Sequence, residues 1–164
     1  MTIRGADAHL VEPGHLPTPF TAEEIRRGCP DGRTIVLRVE PAGQPPQTRT
    51  VTFVGGDARG TTQVRAPLGA DGRPGPETGR DRSTWRSLQA HASFPRERST
   101  VQRARLDHPL GDLDCFRYTV SDGDAVDTYW FDRTRPGMPV LLESRRGSEV
   151  VLRVTVVSDE VHPG

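Results

Sequence analysis

The sequence predicts a mainly β (α+β) protein: a curved antiparallel sheet or half-barrel of about seven or eight strands, with a short helix packed on its concave face. Three observations carry that prediction. The segment Val150-Val151-Leu152-Arg153-Val154-Thr155-Val156-Val157 is rich in β-branched residues and alternates apolar and polar from Leu152 to Val156, as a strand with one buried face does. Strand-like runs from Leu113 to Val157 are separated by short turns such as Asp122-Gly123 and Arg146-Gly147, which suits an antiparallel meander. One amphipathic segment, 83–92, brings Trp85, Leu88 and Ala92 to one side and needs an apolar surface to cover.

The elements follow in chain order. Residues 1–19 are polar and aperiodic, with His9, Pro13, His15 and Pro17, and are expected to form an extended N-terminal arm. Thr21 and Glu24 make a capping box that opens a helix over 22–28, stopped by Gly28 and Pro30. Phe20 is placed to staple against Ile25. Strands are expected over 34–40, 48–54 and 61–66, the last an edge strand because it carries few apolar residues. Residues 67–80 are nearly all turn formers and read as a mobile loop. The helix over 83–92 ends before Pro95, and strands then follow over 99–107, 114–121, 125–132, 139–145 and 149–158. The chain length fits one β-rich domain, taken as 20–160.

Composition removes several function classes. Lysine and asparagine are both absent, as A-rich codons would be in a high-GC bacterial genome. Without lysine there is no Schiff-base chemistry and no Walker-type phosphate loop. Anion recognition must use arginine, whose planar fork suits carboxylates and phosphates. Basic and acidic residues number 22 each and the arginines are dispersed, so no nucleic-acid partner is expected. No apolar run is long enough to span a bilayer. The stretch Met1 to Leu10 lacks the apolar core of a secretory signal, so the expected location is cytoplasmic. Cys29 and Cys115 are then expected to be reduced, buried small hydrophobes. The five histidines (His9, His15, His91, His108, His162) show no zinc-ligand spacing, so no metal and no cofactor are expected. There is no nucleophile elbow and no dinucleotide loop, and no catalytic residue is assigned.

What remains is a candidate binding surface. Phe116, Tyr118, Tyr129, Trp130 and Phe131 lie on two strands that the Asp122-Gly123 turn should make neighbours, and they put large rings on both sheet faces. The helix offers Trp85, Leu88 and His91. The ligand-binding set is therefore Trp85, Leu88, His91, Phe116, Tyr118 and Trp130. The expected function is a non-enzymatic binding or accessory protein that holds an apolar small molecule or a protein partner against the sheet. One alternative is a small β-rich enzyme (cyclase, isomerase or hydrolase) using His91 or an aspartate as acid–base. Another is an interaction subunit that pairs through a sheet edge with a second copy or a partner protein.

The segment Trp130-Phe131-Asp132-Arg133-Thr134-Arg135-Pro136-Gly137-Met138-Pro139-Val140 resembles a tail found in uncharacterised bacterial β-rich proteins. There an aromatic strand, a Pro-Gly-x-Pro-Val turn and a long final strand close a curved sheet. That arrangement is similar to the half-barrel of the lipoprotein carriers, the LolA-like fold. The resemblance implies a helix layer over the concave face and an apolar cavity for acyl chains. The carriers work outside the cytoplasm, so the likeness bears on the sheet over 99–158 rather than on lipoprotein traffic.

Overall fold

The structure is a computed structural model and describes residues 7–162. Among the described residues, two α-helices, α1 (Ala22–Gly28) and α2 (Trp85–Ala90), and a short 3-10 turn at Arg96–Arg98 accompany nine strands. These are β1 (Arg33–Pro41), β2 (Gln47–Val54), β3 (Gly60–Pro67), β4 (Gly79–Thr84), β5 (Ser99–His108), β6 (Gly111–Asp122), β7 (Ala125–Asp132), β8 (Leu141–Arg146) and β9 (Glu149–Val161). All nine lie in one open, curved sheet in the order β4-β3-β2-β1-β9-β8-β7-β6-β5, every neighbour antiparallel. The chain makes two meanders, β1 to β4 and β5 to β9, and the last strand closes on the first. Helix α2 lies in the connection between the two edge strands, β4 and β5.

The register decides which side chains face inward. Val39, Val154, Leu142, Tyr129 and Tyr118 stand directly opposite one another across β1, β9, β8, β7 and β6. Directly opposed residues of antiparallel strands share a face, so this row lies on the concave side. Phe116 and Phe131 are opposed in the same way, one step along, and share it. Trp130 opposes Arg117 and Leu141 on the convex side. The convex face mixes threonines such as Thr34, Thr48 and Thr155 with charged residues, Glu143 accepting from Arg145 and Arg153.

The concave face is covered by α1, α2 and the segment that precedes them. Thr21 caps α1 with the expected reciprocal box to Glu24. Ile25 and Phe20 are buried, and Phe20 meets Phe131 edge to face at 6.4 Å. Gln89 of α2 is 1% exposed and hydrogen-bonded on every side. Its amide nitrogen donates to the carbonyl of Ala8 and to Thr18 Oγ1, and its oxygen accepts from the N–H of Ala22. One buried amide thus pins the stretch before α1 to both helices. Tyr118 adds a second tie, donating its hydroxyl to the carbonyl of Pro17 at 2.7 Å.

The structure corrects two local expectations. The helix predicted over 83–92 spans only Trp85–Ala90, because Thr84, not Ser83, is the cap and accepts from the N–H of Ser87. The residues before it, Gly79–Thr84, form β4, a ninth strand that the sequence does not announce. Gly79-Arg80-Asp81-Arg82-Ser83-Thr84 has no apolar side chain to alternate. It is held by backbone pairing to β3 and by ion pairs of Arg65 with Asp81 and of Arg82 with Asp57. A strand that buries no face leaves no hydrophobic signature.

Candidate functional site

Between the two helices and the concave face lies a cavity of about 590 Å³, within the range of roughly 300–1,000 Å³ typical of small-molecule sites. Its floor is built by alternation: Leu37 and Val39 from β1, Val51 and Phe53 from β2, Leu152 and Val154 from β9. Leu142 of β8 and Tyr129 and Phe131 of β7 extend it. Ile25 and Leu88 contribute from the helices, and Gly137-Met138-Pro139 closes one end.

That end is tied by a buried polar knot. Arg33, at the start of β1, makes a two-pronged ion pair with Asp159 of β9, at 2.9 and 2.7 Å. The same guanidinium donates to the carbonyls of Gly28 and Pro136 and lies 3.1 Å from Cys29 Sγ. Burial works against the Arg33 charge, but the Asp159 carboxylate and the Cys29 sulfur outweigh it and raise its pKa. The turn can come this close only because two glycines leave room. A side chain on Gly28 would begin 2.7 Å from the Pro136 ring, and Gly137 adopts φ 126°, a conformation that favours glycine. Asp132 anchors the other side of the turn, accepting from Thr134 and from Arg135 Nε.

Both cysteines are buried and neither forms a disulfide. Burial pushes the Cys29 thiol up despite the opposing Arg33 charge. Burial, with Asp132 and Asp114 adding to it, pushes the Cys115 thiol up to about 11. Cys29 reaches the cavity wall, whereas Cys115 is fully enclosed.

The cavity wall is apolar but carries charge of one sign. Arg49 of β2 and Arg65 of β3 lie in it, and no aspartate or glutamate among the described residues does. The same two arginines also line an adjoining groove of about 660 Å³, formed with Pro46, Thr48 and Leu68. They therefore stand where the apolar cavity meets a more polar surface.

Of the six residues singled out from the sequence, the structure brings Leu88 and His91 into this wall. His91 is exposed at the end of α2, and no carboxylate among the described residues bonds to its ring. Trp85 is buried beside the helix start, with its indole N–H donating to the carbonyl of Asp57 at 2.8 Å. Tyr118 is spent on Pro17 and packs against Phe94 and Phe131. Phe116 lies under the Arg133 guanidinium at 5.3 Å. Trp130 lies under that of Arg117 at 5.2 Å, on the convex face. Arg49, Arg65, Leu142 and Met138 are lining residues that were not anticipated. The signal for Arg49 was present: it sits two residues before Val51 and four before Phe53, on their face. An arginine on the core-facing side of a strand marks either a pocket rim or a buried pair.

No helix among the described residues is long and apolar enough to cross a membrane. Neither a protein family nor a curated protein sequence matches the chain. Among solved structures, the chain is similar to the one titled "Crystal structure of MucB", with a TM-score of 0.56 at 10% identity. The match covers 83% of this chain and 55% of that one, so this chain spans little more than half the length of its neighbour. The likeness supports the β-rich, LolA-like fold of the sheet.

Proposed function

We propose that the chain is a non-enzymatic binding protein that holds an apolar small molecule in the cavity between its helices and the concave face of the sheet. The observation that supports this reading is the cavity itself, open space of ligand size against Leu37, Val39, Leu142, Val154 and Met138. A fold of this kind would lose nothing in stability by filling such a space with side chains, as well-packed interiors do. The resemblance to the lipoprotein carriers makes an acyl or alkyl chain the natural occupant.

The test is equilibrium binding of an uncharged apolar dye, Nile red, to the full chain, followed by displacement with tetradecanol. One saturable, displaceable site is expected. Val39→Trp and Leu142→Trp should each obstruct part of the space and weaken dye binding, the double variant most, while the circular dichroism keeps its β signature. Dye that binds without saturation, or as tightly to the double variant as to the parent chain, would overturn the reading.

A further inference from the structure

We propose that the occupant of the cavity is an amphiphile with a single alkyl chain and an anionic head, and that Arg49 and Arg65 receive that head. The inference rests on the cavity reading above and adds the charge and orientation of the ligand. Three observations carry it. Among the described residues, the fixed charges in the wall are Arg49 and Arg65, both positive, with no carboxylate beside them in the lining. The two are diagonal neighbours on one face, since Arg65 opposes Val51 and Arg49 follows two places away on the same strand. Such positions put the side-chain roots roughly 7–8 Å apart, near enough for two long guanidinium arms to converge on one group.

Their existing partners differ. Arg65 is already paired with Asp81. Arg49 donates to the neutral side-chain oxygen of Gln47 at 2.9 Å, and no carboxylate among the described residues neutralises it. The three groups together carry one net positive charge, which one monoanion would balance. Guanidinium donors match carboxylate and phosphate oxygens in pairs. The arginines also border the more polar groove, so a head placed there stays hydrated while its chain is buried among Val39, Leu142 and Val154. A cationic amphiphile would meet repulsion, and a neutral one would leave Arg49 without a counter-charge.

Isothermal titration of the full chain, below the micellar concentration of each probe, tests this. The probes are tetradecanoate, tetradecyl phosphate, tetradecanol, tetradecyltrimethylammonium and inorganic phosphate. Both anionic amphiphiles should bind at least about tenfold more tightly than the alcohol, and the ammonium most weakly. The preference should shrink as salt is raised, because the arginines are partly exposed. Going from dodecanoate to tetradecanoate should tighten binding about fourfold per methylene. In Arg49→Gln, an exposed site where folding is not at stake, the ratio of tetradecanoate to tetradecanol affinity should collapse towards unity. Alcohol and carboxylate binding equally, or a ratio that survives Arg49→Gln, overturns the head assignment and leaves the cavity reading standing. Inorganic phosphate binding as tightly as tetradecyl phosphate overturns the amphiphile. No saturable binding of any chain-bearing probe overturns both proposals.

Discussion

Replacing Asp159 by asparagine should destabilise the protein by about 3 kcal/mol. The figure follows from the surroundings of the pair. The Arg33 and Asp159 side chains are only 5% and 7% exposed, so water cannot substitute for a lost partner. Breaking a buried pair from one side costs about 3–5 kcal/mol, because the surviving charge stays buried. The lower end applies here. Arg33 keeps the carbonyls of Gly28 and Pro136 as acceptors, and an asparagine oxygen can still take one bond. The assay is urea unfolding followed by circular dichroism, and the midpoint should fall with an unchanged slope. For a domain of this size the melting temperature should drop by about 6–12 °C. The double variant Arg33→Met/Asp159→Leu should recover only part of the loss, since the two carbonyls then lack their donor. A loss below about 1 kcal/mol for Asp159→Asn would refute the reasoning. The pair would then be behaving as a solvated surface contact and not as the tie that holds the Pro136–Gly137 turn against α1.

Three further outcomes are expected. Gln89→Met should cost about 2 kcal/mol by leaving the half-buried N–H of Ala22 without its acceptor and releasing the carbonyl of Ala8, and limited proteolysis should then cut within residues 7–19; an unchanged digestion pattern would count against Gln89 as the tie. Neither thiol should react with Ellman's reagent at neutral pH until the chain is unfolded, because both are buried and burial raises both thiol pKa values, that of Cys115 to about 11; rapid native reaction of Cys115, the fully enclosed one, would show an opening the structure does not contain. Stability should fall in acid. The Arg103 and Arg133 partners hold Asp114 below its ordinary value. Burial pushes Glu143 up, but Arg145 and Arg153 outweigh it and leave it lowered. A carboxylate whose folded pKa is depressed contributes fully above its unfolded value, about 4, and that contribution disappears as pH falls through the folded value. Urea midpoints measured down the acid limb should therefore drop, and Asp114→Asn/Glu143→Gln should flatten the drop; an equally steep limb in the variant would reject these two groups as its source.

The elements that bury one face were legible as sequence. The alternation of Leu152 to Val156, the Thr21–Glu24 box and the Asp122-Gly123 turn each state a local preference that the surroundings do not override. Strand β4 was not legible, because it is held by backbone bonds to β3, surface ion pairs and polar bonds such as Arg82 to the carbonyl of Gly55, none of which depends on apolar spacing. The extent of α2 turned on which of two adjacent hydroxyl residues caps it, a choice settled by the geometry of the chain leaving β4. The site divides in the same way. Leu88 and His91 lie where an amphipathic helix presents them, and that much is periodicity. Whether Trp85 and Tyr118 face a cavity or are used up in hydrogen bonds depends on Asp57 and Pro17, which lie 28 and 101 positions away in the chain.

The order of residues alone determined that this chain makes an antiparallel sheet with one shielded side, since strand alternation and turn chemistry are local properties. Only the tertiary structure decided that β9 closes on β1, that Arg33 meets Asp159 across 126 positions, and that Arg49 and Arg65 stand together at the rim of an apolar hollow. Contacts between distant positions follow from register and curvature, and neither is written in any short stretch of sequence.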